Sequence, residues 1–503
     1  MKLLRLHDFA GPVNGRWVAL VAGALLVTAF APFGWYWIAP LPLACLLLLW
    51  ERATPRQAAW IGFAFGVGLF AAGTWWLYIS LNILGGLWPP LALLMMLVFI
   101  IALASFAALA GYVVVRYSRA NSVLRWLLVF PAGWALAEWL RGWVLTGFPW
   151  MSIGYSQTES VLGSIAPLVG VYGVTWVTVL LAGGLVACVA GNTWQRLTGL
   201  GIIVCVVVTT TGLHKSIWTQ DTGKNFHVRL VQGAIPQEKK WLPEQLGPTL
   251  SLYRELSVSD NPLDLIVWPE AAIPALPYEV EEFLHSLHDE MVMRDTQLFA
   301  GILTYDFEND QFLNTLLALG KEEGRYYKRH LVAFGEYFPV PDFVRQIMRL
   351  VNLPSESISP GSEMQEPLYA KGVPVAPTIC YEIAFGAEQL SFFPQAQLLV
   401  NVSNDAWFGN TIAPHQHLQI NQFRARETGR YMLRTTNTGI TAVINPAGHI
   451  EQRIPQFEPG FLDATVRPYA GQTPYMRFGN WLPITGMVLL MVGGSWFSRR
   501  KTD

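Results

Sequence analysis

Long apolar stretches constrain the fold of this chain more than any other feature of its sequence. Eight of them approach the roughly 20 apolar residues that cross a bilayer as a helix. They lie at 17–33, 36–50, 58–80, 91–115, 126–140, 161–190, 197–213 and 482–497. We therefore predict a membrane domain of about seven helices over 1–213, a soluble domain over 214–480, and a final helix with a short basic tail over 481–503.

The composition supports this division. Of the 503 residues, 52% are hydrophobic and only 14% are charged, whereas soluble proteins carry about 25% charged residues. Many of the 21 tryptophans lie near the ends of apolar stretches, as is typical of residues at a membrane interface. The formal net charge is −1, which gives no basis for a nucleic-acid partner.

Lysine and arginine are concentrated on one side of the predicted membrane domain. Loops that face the cytoplasm carry an excess of these residues. With the N-terminus inside, the inside segments contain Lys2, Arg5, Arg16, Arg52, Arg56, Arg116, Arg119, Arg125, Arg196, Arg499, Arg500 and Lys501. The short outside loops contain only Arg141. Both termini are therefore predicted to be cytoplasmic, with the soluble domain on the other side of the membrane.

The first apolar stretch has an alternative interpretation as a cleaved signal peptide. Ala29-Phe30-Ala31 fits the small-x-small pattern of a cleavage site. Pro32 would then be the first residue of the mature chain, which is a poor context for cleavage. We predict a retained helix.

The soluble domain alternates short apolar runs with helical patterns. The predicted strands are 226–231, 263–268, 298–303, 375–379, 398–402 and 441–444. The predicted helices are 244–258, 280–291 and 417–428. This alternation indicates an α/β domain. A helical apolar pattern at 343–351 fits either a core helix or a lid at the interface, and the Pro- and Ser-rich segment 354–367 indicates a mobile loop.

Cys380 is the only cysteine of the soluble domain, so it has no partner there for an intrachain disulfide. By itself, a lone cysteine after a strand is more often inert packing than a nucleophile. Two other strand ends or loops carry residues that change this balance, in Trp268-Pro269-Glu270 and in Tyr327-Lys328-Arg329-His330. A nucleophilic thiol needs a base and an oxyanion donor, and Glu270 and Lys328 are candidates for these two tasks.

Each of these residues also has a purely structural interpretation. Glu270 could cap a helix, and a lysine such as Lys328 is usually a solvated surface charge. His415 and His417 form the only close histidine pair. Because residues two apart point to different sides of a helix and no further ligands gather near them, we predict no metal site.

Five motifs together resemble the carbon–nitrogen hydrolase (nitrilase) superfamily. They are Trp268-Pro269-Glu270, Lys328-Arg329-His330-Leu331, Phe334-Gly335-Glu336, Cys380-Tyr381-Glu382 and Asn404-Asp405-Ala406-Trp407-Phe408-Gly409. Segments in and around the apolar stretches resemble the membrane-embedded branch of that superfamily, the bacterial apolipoprotein N-acyltransferases. They are 138–143, 146–150, 154–157 and 231–241.

This resemblance implies a four-layered α-β-β-α sandwich and a Glu-Lys-Cys catalytic triad. The triad corresponds to Glu270, Lys328 and Cys380, and a second essential glutamate corresponds to Glu336. Tyr381 and Glu382 are taken as supporting residues. The candidate substrate-binding residues are Trp241, Asn314, Trp407 and Arg141. Arg141 also has a structural interpretation, as one half of a local ion pair with Glu138 on the same helical face.

The implied reaction is ping-pong acyl transfer in the bacterial inner membrane, with the catalytic domain in the periplasm. Cys380 takes the sn-1 acyl chain of a phospholipid as a thioester. The acyl chain then passes to the α-amine of an apolipoprotein's N-terminal diacylglyceryl cysteine. No cofactor is expected, and the protein is expected to be a monomer. Apolar loops near 343–353 and 276–284 are predicted to cover the site.

Two other functions remain open at this stage. The triad alone would also fit a membrane-anchored amidase or nitrilase for small soluble substrates, although one anchor would then suffice. A transporter or receptor with a ligand-binding outer domain is the other alternative. Transport predicts charged residues deep in several helices and internal repeats, and the sequence has neither.

Overall fold

The structure is a computed structural model that describes residues 14–337 and 358–500. The chain divides into two compact units. The first unit extends to Ile217 and also includes Asn410–Gln419 and the chain from Thr473 onward. The second unit extends from Trp218 to Gly409 and from Ile420 to Gln472. The predicted lid at 343–353, the helical pattern at 343–351 and the first part of the 354–367 loop lie outside the described residues.

The first unit is helical. Up to residue 217 its helices are α1 (Asn14–Leu26), α2 (Pro40–Trp50), α3 (Pro55–Gly73), α4 (Trp76–Ile79), α5 (Pro89–Tyr117), α6 (Phe130–Arg141), α7 (Ile153–Ser156), α8 (Ala166–Ala190) and α9 (Thr193–Leu213). Helical turns lie in each of the seven stretches predicted as spans in this part of the chain. The sequence therefore located the helices of this unit well.

Four helices among the described residues are long and apolar enough to cross a membrane. They are Pro89–Tyr117, Val161–Ala190, Thr193–Leu213 and Trp481–Ser498. Pro55–Gly73 and Trp76–Leu84 add a fifth if this pair, bent by 54°, is one span. Asn14–Ala29 and Tyr36–Trp50 are apolar but shorter. These helices are consistent with a membrane protein, and the count of about eight spans stays a prediction.

Glycines let helices of this unit approach each other to backbone contact. A β-carbon on Gly68 of α3 would lie 2.0 Å from the carbonyl oxygen of Leu20 on α1. A β-carbon on Gly62, also on α3, would lie 2.3 Å from the carbonyl oxygen of Ala107 on α5. Helices in membranes associate through such small residues, because lipid provides no hydrophobic driving force. Helix α3 is therefore packed closely on both sides.

The second unit contains two six-stranded sheets. Its strands are β1 (Gln220–Asp221), β2 (Phe226–Gln232), β3 (Leu265–Val267), β4 (Gln297–Asp306), β5 (Gln311–Leu319), β6 (Gly324–Tyr327), β7 (Leu368–Ala370), β8 (Val373–Ile379), β9 (Leu398–Ser403), β10 (Met432–Thr436), β11 (Ala442–Ile444), β12 (Ile450–Arg453), β13 (Gly460–Val466) and β14 (Tyr469–Ala470). One sheet has the order β13-β2-β3-β4-β5-β6 and the other β12-β11-β10-β9-β8-β7. Strands β1 and β14 form a separate pair.

Helices alternate with these strands and complete the α/β fold. They are α10 (Gln237–Lys240), α11 (Pro243–Leu256), α12 (Glu281–Met293), α13 (Gly386–Gln389) and α14 (Ala413–Thr428). The chain ends with α15 (Pro474–Phe478) and α16 (Trp481–Arg500), which belong to the first unit. Helices α11 and α12 cover β3 and β4 through a buried apolar core that includes Tyr253, Trp268, Leu287 and Leu298. The α/β class is confirmed, and the four-layered order stays a prediction.

Parallel pairing brings chemically important strand ends to common edges. Strands β2, β3 and β4 run parallel, and so do β8, β9 and β10. Strand β5 is antiparallel to both β4 and β6, so β6 ends at the same edge as β3. Ligands of α/β sheets bind at such carboxyl ends. A site is therefore expected at the ends of β3, β6, β8 and β9.

All six predicted strands exist, but the sequence missed others. Eight strands were not predicted, namely β1, β7, β12 and β14, which have four residues or fewer, and β5, β6, β10 and β13. The last four mix polar and apolar residues, and their register comes from neighbouring strands that are distant in the chain. The predicted helices at 244–258, 280–291 and 417–428 correspond to α11, α12 and α14.

Replacing Gly68 with leucine should destabilise the helical unit, because the added side chain collides with the backbone of α1. Overpacking of this kind costs about 1–3 kcal/mol. Gly201 on α9 is the matched control, since a β-carbon there meets nothing within 4 Å. Thermal unfolding in detergent should show a lower Tm for Gly68→Leu than for Gly201→Leu. Equal Tm values would contradict the close approach of α1 and α3.

Candidate active site

Glu270 follows the buried strand β3 and is 6% exposed. The turn that carries it packs against Gly301 of β4, where a β-carbon would lie 2.4 Å from the Pro269 carbonyl oxygen and 2.8 Å from the Glu270 Cα. The residue after it, Ala271, has φ of +46°, a conformation that is unfavourable outside glycine. Such backbone strain is found at functional sites, where the surrounding structure maintains it.

Both oxygens of the Glu270 carboxylate accept hydrogen bonds. The Asn314 side-chain amide donates to Oε1 at 2.8 Å, and the Asn404 backbone N–H donates to Oε2 at 2.7 Å. The Lys328 ammonium lies 3.4 Å from Oε1. Burial acts to raise the pKa of Glu270, but the charge of Lys328 and these hydrogen bonds lower it below its ordinary value. The carboxylate is therefore ionised at neutral pH.

Lys328 follows β6 and is fully buried. Its ammonium donates to Glu336 Oε1 at 2.7 Å and to Glu270 Oε1 at 3.4 Å. Burial acts to lower the pKa of Lys328, but the charges of Glu336 and Glu270 outweigh burial and raise it. The side chain is therefore a permanent cation and cannot act as a base. Within residues 14–337 and 358–500, two of its three N–H donors are used, so a third is available to a ligand.

Glu336 lies in a tight turn whose first residue, Phe334, has φ of +63°. Its Oε1 accepts from Lys328, and its Oε2 accepts from the backbone N–H of Val332 at 2.8 Å. Asn314 also donates to Oε1 at 3.3 Å. Lys328 is thus held between two carboxylates, and Glu336 is the nearer of the two.

Cys380 begins a short 3₁₀ turn, Cys380–Ala384, directly after β8. Its φ is +56°, and the Asn401 side-chain amide donates to its carbonyl oxygen at 3.3 Å. Burial and the negative charge of Glu270 raise the pKa of the thiol above its ordinary value. Lys328 and a hydrogen bond with Ser403 oppose this effect without cancelling it. The resting group is therefore a protonated thiol, and its pKa depends on the charges of Glu270 and Lys328.

Glu382 connects the segment that carries Lys328 to the turn that carries Cys380. Its Oε1 accepts from the Tyr326 hydroxyl at 2.9 Å and from the Arg329 backbone N–H at 2.6 Å, and its Oε2 accepts from the Ile379 backbone N–H at 2.6 Å. It therefore links the ends of two strands that belong to different sheets. Burial raises the pKa of Glu382.

The ring of Tyr381 lies among other aromatic rings. The ring contacts Phe385, with centroids 5.1 Å apart, and His330, with centroids 5.9 Å apart. The supporting residues predicted from the sequence thus have different surroundings. Glu336 and Glu382 hold charged or backbone groups of the cluster, whereas Tyr381 packs among aromatic rings.

The four candidate substrate-binding residues lie in different surroundings. Asn314 belongs to the charged cluster itself, where it contacts both Glu270 and Glu336. Trp241 and Trp407 are 48% and 42% exposed. Exposed aromatic rings next to a reactive site are suited to contacts with a ligand. Their role in binding stays a prediction.

Arg141 lies in the helical unit and is 3% exposed. Its guanidinium donates to the backbone carbonyl oxygens of Phe148 and Trp150 and to the Ser152 hydroxyl. Glu138 accepts from the Thr175 hydroxyl at 2.8 Å and from the Ile153 backbone N–H at 3.1 Å. These contacts favour a structural part for both side chains in holding the loop after α6. A headgroup contact by Arg141 stays a prediction.

Sequence analysis gave no role to four contributors to this site, which are the Asn404 N–H, Lys240, Arg434 and Ser403. The Asn404 N–H and the buried Lys240 both act on Glu270. Arg434 donates to Asp405 and to Asn401 at 2.6 Å each, and Ser403 donates to Asp405 at 2.7 Å. Nothing in the local sequence separates these buried groups from exposed ones. Among residues 14–337 and 358–500, no cluster of His, Cys, Asp and Glu could hold a metal ion.

The fold is that of the carbon–nitrogen hydrolase class. The family model described as Carbon-nitrogen hydrolase matches residues 227–475. This match covers both six-stranded sheets and every member of the charged cluster.

A second family model, described as Apolipoprotein N-acyltransferase N-terminal domain, matches residues 22–184. The apolipoprotein N-acyltransferase of Nitrosomonas europaea is 44% identical, with 96% of this chain and 98% of the relative covered. That of Methylococcus capsulatus is 42% identical, with 96% of each covered. That of Vibrio vulnificus is 38% identical over the whole of both chains. The chain belongs to the apolipoprotein N-acyltransferase family.

Replacing Glu270 with glutamine should make the free energy of unfolding depend less on pH in the acidic range. Because the folded-state pKa of Glu270 is lowered, its ionised form stabilises the protein above its unfolded pKa of about 4.3. That contribution is lost as the pH falls through the folded-state value. The free energy of unfolding of the wild type should therefore exceed that of Glu270→Gln by about 3 kcal/mol at pH 7. This difference should shrink toward pH 3.

Thermal unfolding in detergent between pH 7 and pH 3 measures this gap through Tm. The exposed Glu282, substituted in the same way, is the matched control and should follow the wild type. A Tm difference between wild type and Glu270→Gln that does not change with pH would contradict an ionised Glu270.

Proposed function

We propose that this protein transfers a fatty acyl chain from a membrane phospholipid to the α-amine of an apolipoprotein's N-terminal diacylglyceryl cysteine. Membership of the apolipoprotein N-acyltransferase family supports the overall activity. The arrangement of an ionised Glu270, a cationic Lys328 and a protonated Cys380 supports a covalent route. The observation that carries the proposal is the buried ion pairing of Lys328 with Glu270 and Glu336 at the strand ends, with Cys380 directly after β8.

The first half-reaction forms a thioester. Glu270 takes the proton from the Cys380 thiol while the sulfur attacks the carbonyl carbon of the sn-1 ester. The carbonyl oxygen becomes an oxyanion, which the free N–H of Lys328 and backbone N–H groups stabilise. The C–O bond then breaks, the leaving oxygen takes the proton from Glu270, and a lysophospholipid departs. Cys380 retains the acyl chain.

In the second half-reaction the acceptor amine is the nucleophile, and the sulfur of Cys380 is the leaving group. The acceptor amine attacks the thioester carbonyl and passes a proton to Glu270, and Lys328 again faces the oxyanion. When the C–S bond breaks, the sulfur recovers the proton from Glu270. One carboxylate thus serves both steps, which requires that it be ionised whenever a new nucleophile arrives. The lowered pKa of Glu270 meets this requirement.

The raised pKa of the Cys380 thiol fits this sequence of steps. A free thiolate would react with oxidants and with adventitious electrophiles. A thiol that loses its proton only during attack avoids this exposure. The permanent charge of Lys328 then stabilises the oxyanion without exchanging protons itself. Base and oxyanion donor are therefore separate residues.

Both substrates belong in a membrane, which supports an inner-membrane enzyme with a periplasmic catalytic domain and cytoplasmic termini. Each buried CH₂ of an acyl chain contributes about 0.8 kcal/mol, so lipids with two chains hardly leave the bilayer. The apolar helices of the first unit are consistent with residence there. The excess of lysine and arginine on one side of the predicted spans supports the orientation.

The covalent intermediate can be detected directly. Purified protein is incubated with a phospholipid whose sn-1 chain is labelled, in the absence of an acceptor. Mass spectrometry is expected to find the labelled acyl group on Cys380, and hydroxylamine should remove it. The controls are Cys380→Ala, which should take no label, and Cys205→Ala, which should be labelled like the wild type. A folded wild type that takes no label from varied phospholipids would favour the amidase alternative.

Two segments, 343–353 and 276–284, were predicted to cover the site, and the structure describes only 276–284. Phe283 and Leu284 pack against the core of the sheet, whereas Tyr278 is 57% exposed and its ring lies 6.0 Å from that of Phe307. If these rings keep water from the thioester, Tyr278→Ala should raise hydrolysis relative to transfer severalfold. Met293→Ala, another exposed apolar side chain, should not. An unchanged ratio of free fatty acid to acylated acceptor would contradict the shielding role.

A further inference from the structure

Lys240 is a buried lysine to which the reaction above gives no role. It ends the four-residue helix α10 and is only 2% exposed. Its neighbour on the same helix, Lys239, is exposed. Burying an ammonium costs several kcal/mol unless nearby groups compensate. A buried lysine beside an exposed one therefore calls for a physical explanation.

The ammonium of Lys240 points to the residue that carries the base. It donates to the backbone carbonyl oxygen of Glu270 at 3.1 Å. Within the described parts of the chain, no carboxylate oxygen lies within 4.0 Å of it, and this is its one hydrogen bond. Among the described residues, the group that compensates its charge is therefore the more distant Glu270 carboxylate, which acts to raise the pKa of Lys240.

The other end of α10 reaches Glu270 by a second route. Gln237 Oε1 accepts from the side-chain amide of Asn404 at 2.8 Å. The backbone N–H of Asn404 in turn donates to Glu270 Oε2 at 2.7 Å. Helix α10 thus contacts the backbone of Glu270 with its last residue and supports the carboxylate, through Asn404, with its first residue.

We propose that Lys240 is a positioning residue for the general base, which keeps the Glu270 carboxylate ionised through its charge and holds the 269–271 turn through its hydrogen bond. The inference rests on the proposed function in taking Glu270 as the base. Burial lowers the pKa of Lys240 to about 8, so the charge is present throughout the acidic range in which Glu270 titrates.

Other charged groups also face Glu270 and are left intact by a change at Lys240. Lys328 approaches it from the end of β6, with Glu336 on the far side of that ammonium. The Cys380 thiol, at the end of β8, interacts electrostatically with Glu270, and Asp405 acts on that thiol. Removing the charge of Lys240 should therefore raise the pKa of Glu270 without removing its main partner.

The test compares Lys240→Met, Lys240→Arg and Lys239→Met with the wild type. The rate of Cys380 acylation by an sn-1-labelled phospholipid is measured in a single turnover from pH 4 to pH 8. In Lys240→Met the midpoint of the acid limb should move up by about one pH unit. At pH 4 the rate should therefore fall severalfold relative to the wild type, and the deficit should narrow as the pH rises above the midpoint of the variant. Lys240→Arg and Lys239→Met should keep the wild-type midpoint.

A Lys240→Met rate that is lowered equally at every pH would overturn the proposal, because a purely structural role predicts that result. Lys240→Gln replaces the methionine variant if thermal unfolding shows that the latter is not folded. If the wild type takes no acyl label, the proposed function fails instead. Thermal unfolding from pH 7 to pH 3 then makes the comparison without a substrate, and the loss of Tm in acid should begin at higher pH in Lys240→Met than in the wild type, Lys240→Arg or Lys239→Met. An unshifted dependence of Tm on pH would reject the role of Lys240 independently of the substrate.

Discussion

The site depends on a buried ammonium that is held between two carboxylates. Lys328 has no exposed surface, and its ion pairs with Glu336 and Glu270 outweigh the cost of its burial. Two carboxylates and one ammonium leave one negative charge in excess. Lys240 supplies the balancing positive charge from the other side of Glu270. The four groups together are neutral, which is the condition under which a charged cluster can stay away from water.

This balance assigns different tasks to residues that are chemically similar. Lys328 lies between two carboxylates and keeps its proton, whereas Lys240 sees one distant carboxylate and holds its proton less firmly. The pKa of Glu270 is lowered, so its carboxylate is ionised and can accept a proton. Burial raises the pKa of Glu382, whose carboxylate accepts hydrogen bonds from backbone groups. Environment, rather than residue type, therefore separates the base from the structural carboxylate and the permanent cation from the supporting lysine.

The two units of the chain solve different physical problems. The sheets of the second unit bring the ends of distant strands together with the rigidity that a charged cluster needs. The helices of the first unit use glycine contacts and hydrogen-bonded loops, such as the one held by Arg141, to pack apolar surfaces that lipid cannot drive together. A reaction between two lipid-anchored substrates requires both, since chemistry with charged groups must occur beside a bilayer.

The sequence by itself determined the positions of the helices and the α/β class of the second unit, and it predicted Glu270, Lys328 and Cys380 as reactive residues. These features leave local signals: apolar length, alternation of patterns, and polar residues directly after strands. The tertiary structure alone decided which polar residues act on one another. Lys239 and Lys240 are adjacent and chemically identical in the sequence, and burial in the fold separates them. Strands such as β5 and β10, and the Asn404 N–H, acquire their roles from residues far away in the chain. Burial and long-range pairing are properties of the whole fold, so no local pattern records them.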